Sequence, residues 1–146
     1  MTAAVNQRQQ IIERWTHHLF PLLVGTRAWK GAACGLDPLT GKVQPMAAGL
    51  VDLVHIGTFD EDLDATGAEW PVQVDLGMEI ELRRYANDTG TAVDPADVGA
   101  LCNFLDDQTV TMGAGPIAGR VWHVDPVLGV AVEKLAFSAL PAPALP

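Results

Sequence analysis

The sequence predicts a mainly β protein: a small β-barrel or β-sandwich domain with an N-terminal amphipathic helix or arm and a Pro-rich C-terminal tail. Three observations point there. From residue 24 onward, short segments rich in Val, Thr and aromatic residues are separated by Gly, Pro and Asp clusters at roughly ten-residue spacing. Between Val72 and Leu82 the even positions are apolar, while Gln73, Asp75, Glu79 and Glu81 occupy the odd ones, which is the period of a half-buried strand. The length, 146 residues, suits one core with little left for a second. The chain accordingly divides into residues 1–24 (helix or arm), 25–135 (β-rich domain) and 136–146 (extended tail).

Taken in order, "NQRQQIIERWTHHLF" places Ile11, Ile12, Trp15 and Leu19 at helical spacing, with Arg8, Glu13 and Arg14 elsewhere on the wheel. This predicts an amphipathic helix of about three turns, stopped by Pro21. So short a helix needs a tertiary partner. The next segments are "VGTRAWKGAACGL", turning at "DPLTGK"; "LVDLVHIGTF", leading into the acidic loop "DEDLDATGAE"; and "WPVQVDLGMEIELRRYA", turning at "NDTG". Gly77, inside the third, predicts a bulge or bend. Pro95 after Asp94, with Gly99 beyond, predicts one helical turn. The strands "LCNFL", "AGRVWHVD" and "GVAVEKL" follow, and "SALPAPALP", uncharged and holding three prolines, predicts an extended tail. No repeat of solenoid length is visible.

Charge is distributed unevenly. Residues 1–51 hold five basic and two acidic side chains, the remainder four basic and sixteen acidic. The acidic body repels phosphates, which argues against nucleic-acid binding. No apolar run reaches the roughly 18 to 20 residues of a membrane helix. "LFPLLVG" has basic residues before it like a signal core, but "TRAWK" offers no small-residue cleavage site.

Sets of residues able to do chemistry fail on spacing. Asp60, Asp62 and Asp64 begin a calcium-loop register, but Ala65 stands in place of the turn glycine and Pro71 in place of the bidentate Glu, so a solvated hairpin loop is expected. His17, His18, His55 and His123 form no HExxH or HxH pair; His55 and His123 lie in strands where they could meet across a sheet. "GAGPIAG" lacks the glycine spacing of a phosphate loop, and Pro116 removes an amide donor. Cys34 and Cys102 read as two buried thiols; spacing leaves open whether they pair. Trp15, Trp29, Trp70 and Trp122 are too scattered for a stacking platform. Neither a metal nor a cofactor is expected.

Several blocks occur in a fixed order: "WKGAA" (Trp29 to Ala33), "ADVGALCNFLDDQTV" (Ala96 to Val110), "AGRVWHVD" (Ala118 to Asp125) and "GVAV" (Gly129 to Val132). In this the chain resembles the small decoration, or cement, proteins of tailed-bacteriophage heads, which carry "YKGAL", "ADIGKLCYVVDDQTV", "AGIVVDVD" and "GVWV" in the same succession. The resemblance covers roughly residues 25–133, and its middle block is the most specific. Where the family often has "DN" in the loop near position 60, this chain has Asp62, Leu63 and Asp64. The resemblance implies a non-enzymatic virion subunit, made in the bacterial host cytoplasm, that binds the major capsid protein on the outer capsid surface as a homo-oligomer, a trimer ahead of a dimer. It brings no catalytic residues. The "DDQTV" corner then reads as a strand-to-strand turn with Asp106 or Asp107 accepting backbone N–H bonds. Arg8, Ile11, Ile12, Arg14, Trp15 and Leu19 are the candidate capsid or subunit contacts. The rival expectation is a small-molecule or carbohydrate-binding β-barrel with a pocket near His55, His123 and the Asp60–Asp64 loop, or a tail or baseplate component.

Overall fold

The computed structural model describes residues 17–77 and 82–135, and it shows two closed five-stranded barrels where a single small barrel or sandwich was expected. Barrel one contains β1 (His17–Leu22), β3 (Ala33–Leu36), β4 (Val43–Pro45), β5 (Val54–Phe59) and β7 (Trp70–Asp75). Barrel two contains β8 (Leu82–Asn87), β9 (Leu101–Phe104), β10 (Thr109–Thr111), β11 (Ile117–Asp125) and β12 (Gly129–Glu133). A two-stranded ribbon, β2 (Arg27–Ala28) with β6 (Leu63–Asp64), flanks the first barrel, and one 3₁₀ turn, Pro95–Asp97, precedes β9.

The strand order is β1-β4-β3-β5-β7 in one barrel and β8-β10-β9-β11-β12 in the other, each closing on itself. Each has one parallel contact, β1 with β4 and β8 with β10, and four antiparallel ones. The barrels are therefore topological copies, and the copy extends to register. Cys34 faces Gly57 as Cys102 faces Gly119. Thr58 faces Asp75 as Arg120 faces Glu133. Leu22 faces Val43 as Asn87 faces Val110. Even the bulge recurs, with Ile56 skipped on one side and Ala118 on the other. Turn bonds match too: Gly31 N–H donates to Phe59 O at 2.8 Å, and Gly99 N–H to Val121 O at 2.8 Å.

Closure brings backbones very close at one repeated place. A Cβ on Gly57 would lie 2.1 Å from Asp75 O, and one on Gly119 2.1 Å from Glu133 O. Only glycine lets a neighbouring strand pass there.

The cores are filled differently. Barrel one packs Leu22, Cys34, Val43, Ile56, Phe59, Val72 and Val74. Barrel two packs Tyr85, Cys102, Phe104, Val110, Ala118, Val121, Val130 and Val132, and this cluster also takes in Ala33, Met46 and Leu53 from the outside of barrel one. That shared cluster joins the barrels.

The structure corrects several expectations. Residues 17–20 are strand, not the end of a helix: β1 pairs with β7 along its whole length, from His17 opposite Asp75 to Leu22 opposite Trp70. Tertiary pairing overrides the helical spacing there, and the boundary at residue 24 therefore cuts through barrel one. Pro21 faces Pro71, so the missing donors fall at a single step of the ladder. The "LFPLLVG" run supplies this strand, with Leu22 fully buried. "WPVQVDLGMEIELRRYA" is not one strand. It leaves barrel one after Asp75 and enters barrel two at Leu82, and the inward parity changes: Val72 and Val74 are buried, then Tyr85 is, while Leu82 is exposed. Gly77, with φ +73°, stands at the exit; Met78 and Ile80 lie outside the described residues. The acidic loop is more than a hairpin, because it contains β6. The helical turn after Asp94 forms as expected, with Asp94 and Asp97 in a reciprocal capping box. Most of the expected helix (residues 1–16) and the Pro-rich tail (136–146) fall outside the described residues.

Candidate functional site

The junction between the barrels brings buried polar and aromatic groups together. His55 enters from β5, Tyr85 from β8 and Phe104 from β9. Their rings meet edge to face, with centroids 4.8 Å apart for His55 and Phe104, 5.2 Å for Tyr85 and Phe104, and 6.3 Å for His55 and Tyr85. His55 Nδ1 lies 2.7 Å from Ala118 O, a partner that only accepts, so the proton is on Nδ1. Nε2 is then an acceptor, and the Tyr85 hydroxyl donates to it at 3.4 Å. Burial pushes the imidazole pKa down to about 4, helped by the positive charges of Lys134 and Arg83 and opposed by the bond to Ala118. This histidine is a neutral bolt between barrels, with both nitrogens engaged. The cleft beside it, lined by Leu76, Arg83, Val132 and Lys134, holds about 10 Å³, about the space of one water.

The "DDQTV" corner is the second half of the junction. It joins β9 to β10, and its carbonyls reach across to barrel one: Ala33 N–H donates to Asp107 O at 2.7 Å and Ala48 N–H to Leu105 O at 3.1 Å. Asp106 Oδ1 accepts from Gln108 N–H at 2.8 Å, as the turn reading expects. Asp107 is half-buried, and burial first, then the adjacent Asp106, raises its pKa. The pair thus shapes and docks a turn.

Several other carboxylates are likewise occupied. Asp62 Oδ1 accepts from Lys30 N–H, Glu61 Oε1 from Gln73 N–H and Asp64 Oδ1 from Thr66 N–H. Asp60 lies 3.6 Å from His17 Nε2. Asp88 accepts from the N–H groups of Gly90 and Thr91 and from the Thr111 hydroxyl, which lower its pKa. Among the described residues, no three His, Cys, Asp or Glu side chains are grouped as metal ligands. Cys34 and Cys102 are free thiols, each inside its own barrel. Burial raises both pKa values, that of Cys102 to about 11. His123 is exposed on β11, whereas His55 is buried at the junction, so the histidine pair considered from sequence is not brought together.

Of the candidate contact residues, Arg8, Ile11, Ile12, Arg14 and Trp15 lie outside the described residues. Leu19 is on β1, 58% exposed, beside His17, His18 and Gln73 around an open hollow of about 360 Å³. Two of the three basic side chains of the first third that are described meet acidic residues from later in the chain: Arg27 lies 3.8 Å from Asp64 and Lys42 3.0 Å from Glu69. Folding thus mixes much of the charge that the sequence keeps apart. Sequence reasoning missed the Tyr85–His55–Phe104 group and the docking role of the corner carbonyls. Only the apolar flanks of His55 and of "LCNFL" could have signalled burial there. No family model, no curated protein and no solved structure matches the chain.

Proposed function

We propose that this chain is a capsid decoration protein, a non-enzymatic virion subunit that binds the major capsid protein on the outer surface of an assembled bacteriophage head and stabilises the shell. The observation that carries the reading is where the shared sequence falls. The block "ADVGALCNFLDDQTV", the most specific part of the resemblance, runs through the 3₁₀ turn, β9, the docking corner and β10, and its carbonyls tie barrel two to barrel one. A block spent on architecture suits a building protein, whose product is a rigid body with surfaces to dock. Leu19 and the candidate residues before it are the proposed capsid contact. Many weak contacts repeated over a shell give avidity that a single contact of about 800 Å² per partner does not.

The test mixes purified protein with heads that lack decoration, sediments them and images the pellet by negative stain. Saturable co-sedimentation with regularly spaced projections is expected, together with heads that survive a higher temperature. Protein that stays in the supernatant at every ratio tried removes the reading.

A further inference from the structure

Among the described residues no strand pair crosses from one barrel to the other, and the chain passes between them once, from Asp75 at the end of β7 to Leu82 at the start of β8. Packing and single hydrogen bonds hold the junction, so the barrels can part without breaking a ladder. Two of those bonds join backbones, Ala33 N–H to Asp107 O and Ala48 N–H to Leu105 O. His55 adds a tie of its own: from barrel one, it donates to Ala118 O and accepts from the Tyr85 hydroxyl, both in barrel two.

A proton is felt most at that tie. The His55 ring is only 4% exposed, and the cleft beside it has space for about one water. A second proton on the ring turns the Tyr85 hydroxyl from donor to acceptor and places charge where burial disfavours it. The charged and titratable groups that face the ring among the described residues are Tyr85 and Arg83 from β8 and Lys134 after β12, two of them cations. Leu76 after β7, Phe104 on β9, Ala118 on β11 and Val132 on β12 bring no charge, and β3 presents Gly35 opposite. The Asp75 carboxylate is turned to Arg83, whose Nη2 donates to its Oδ2 at 3.0 Å. An imidazolium here adds a third positive charge to two.

We propose that His55 is an acid-released latch: a proton on its ring lifts barrel two off barrel one while both barrels stay closed. Once released, the ring lies on the outside of barrel one, where water hydrates the charge and β5 keeps its pairing. The ring titrates at about 4 in the closed junction and near 6.5 in water, so the parted state gains below pH 6.5 and the gain levels off below pH 4. Asp107, half-buried in the docking corner with a raised pKa, acts the opposite way. The inference concerns only the chain's own junction and does not rest on the capsid reading.

The experiment is amide hydrogen exchange of the full chain, followed by NMR at pH 6.5, 5 and 4 over a series of sub-denaturing urea concentrations, with each rate divided by that of an unstructured peptide at the same pH. Ala33 and Ala48 report the junction. Phe59 N–H, bonded to Ala32 O, and Val121 N–H, bonded to Ala100 O, report the closed barrels. Ala33 and Ala48 are expected to exchange faster than Phe59 and Val121 and with a smaller urea slope, because parting exposes less surface than unfolding. The reference is His55→Gln, whose amide can make both bonds without taking a proton and which keeps Asp107. Relative to it, the protection of Ala33 and Ala48 in the wild type falls about fifteenfold from pH 6.5 to pH 5 and about eightyfold to pH 4. If His55→Gln does not fold, Lys134→Gln serves instead: with one facing cation removed, the fall should shrink. Ala33 and Ala48 sharing the urea slope of Phe59 and Val121, or a fall of the same size in the wild type and the variant, overturns the proposal.

Discussion

Barrel one and barrel two share every strand pairing and four inward residues, Cys34 with Cys102, Val43 with Val110, Val72 with Val130 and Val74 with Val132, but place their largest core side chains differently. Barrel one places its large side chains on β5, Ile56 and Phe59; at the same positions barrel two has Ala118 and Val121. Barrel two keeps an aromatic ring at the β1 position, Tyr85 for Phe20, and enlarges the β3 position on β9, with Phe104 where barrel one has Leu36. The volume is moved round the barrel, as close packing demands when one position shrinks. What stays fixed is the geometry of closure: the bulge on the fourth strand, the glycine beside it, the cysteine opposite that glycine and the buried valine on the third strand. A barrel of this kind is specified by a few backbone constraints, and many fillings satisfy it.

The most severe way to break the likeness is to add one methyl group at the closure. Gly57→Ala and Gly119→Ala each push a Cβ onto a carbonyl oxygen that cannot move without opening the barrel. Each should cost about 4 kcal/mol, read as the loss in urea midpoint at constant slope. The two oxygens stand equally near, so the loss at Gly119 should be at least that at Gly57, because its φ of +153° is also one that a side chain strains. If Gly119→Ala is tolerated while Gly57→Ala is not, the second barrel can relax where the first cannot, and the equivalence ends at backbone topology.

The junction offers the next largest effect. His55 is held neutral with its pKa depressed to about 4, whereas the unfolded chain titrates near 6.5. Between those values the unfolded state binds the extra proton, so stability is fully present above pH 6.5, falls as the pH drops, and loses about 3 kcal/mol by pH 4. Carboxylates with lowered pKa values, Asp64, Asp75, Asp88 and Asp125, act in the same direction but at lower pH. Asp107, raised, acts the opposite way. His55→Gln should therefore flatten the melting temperature between pH 6.5 and 4 and leave the steeper loss below it. A slope unchanged by the substitution would assign the window to other groups.

Much of this was legible before the fold was seen. Turns announced themselves through Asp37 to Gly41, Asp88 to Gly90 and the Asp94 cap, because these side chains make local bonds that no distant partner alters. Alternation found β7, and the Val-, Thr- and aromatic-rich segments between turn clusters contained β5, β9, β11 and β12. The copy of one barrel in the other stayed hidden because its signature is a pairing pattern, with only short likenesses such as "GAAC" and "GALC" or "VQVD" and "VAVE" left in the sequence, and because β3–β4 turns through two more residues than β9–β10 does. The helical reading of residues 17–20 failed for a related reason: the apolar spacing around Leu19 is local, while the partner that makes these residues a strand, β7, lies some fifty residues on. The junction was illegible from any single segment, since His55, Tyr85 and Phe104 are brought together only by the two closures.

The mildest perturbation separates the barrels by what each inserts between its first two strands. Barrel one spends that connection on β2, which pairs with β6 and lays the Arg27 guanidinium 4.1 Å above the Trp29 ring. Barrel two spends it on the 3₁₀ turn, capped by Asp94, whose Oδ1 accepts from Ala96 N–H at 2.9 Å while Asp97 Oδ2 accepts from Asp94 N–H at 2.8 Å. One residue beyond the turn, Gly99 N–H donates to Val121 O, the same bond that Gly31 N–H makes to Phe59 O in barrel one. Since that anchor is common to both barrels, the cap is an addition to the closure and not part of it. Asp94→Ala should then cost about 1 kcal/mol, the ordinary worth of a cap, and should raise amide exchange at Ala96 and Asp97 without raising it at Gly99 or Val121. Exchange that spreads into β9 and β11 would show that the cap holds the second barrel shut, and the two barrels would differ in how they close as well as in how they are filled.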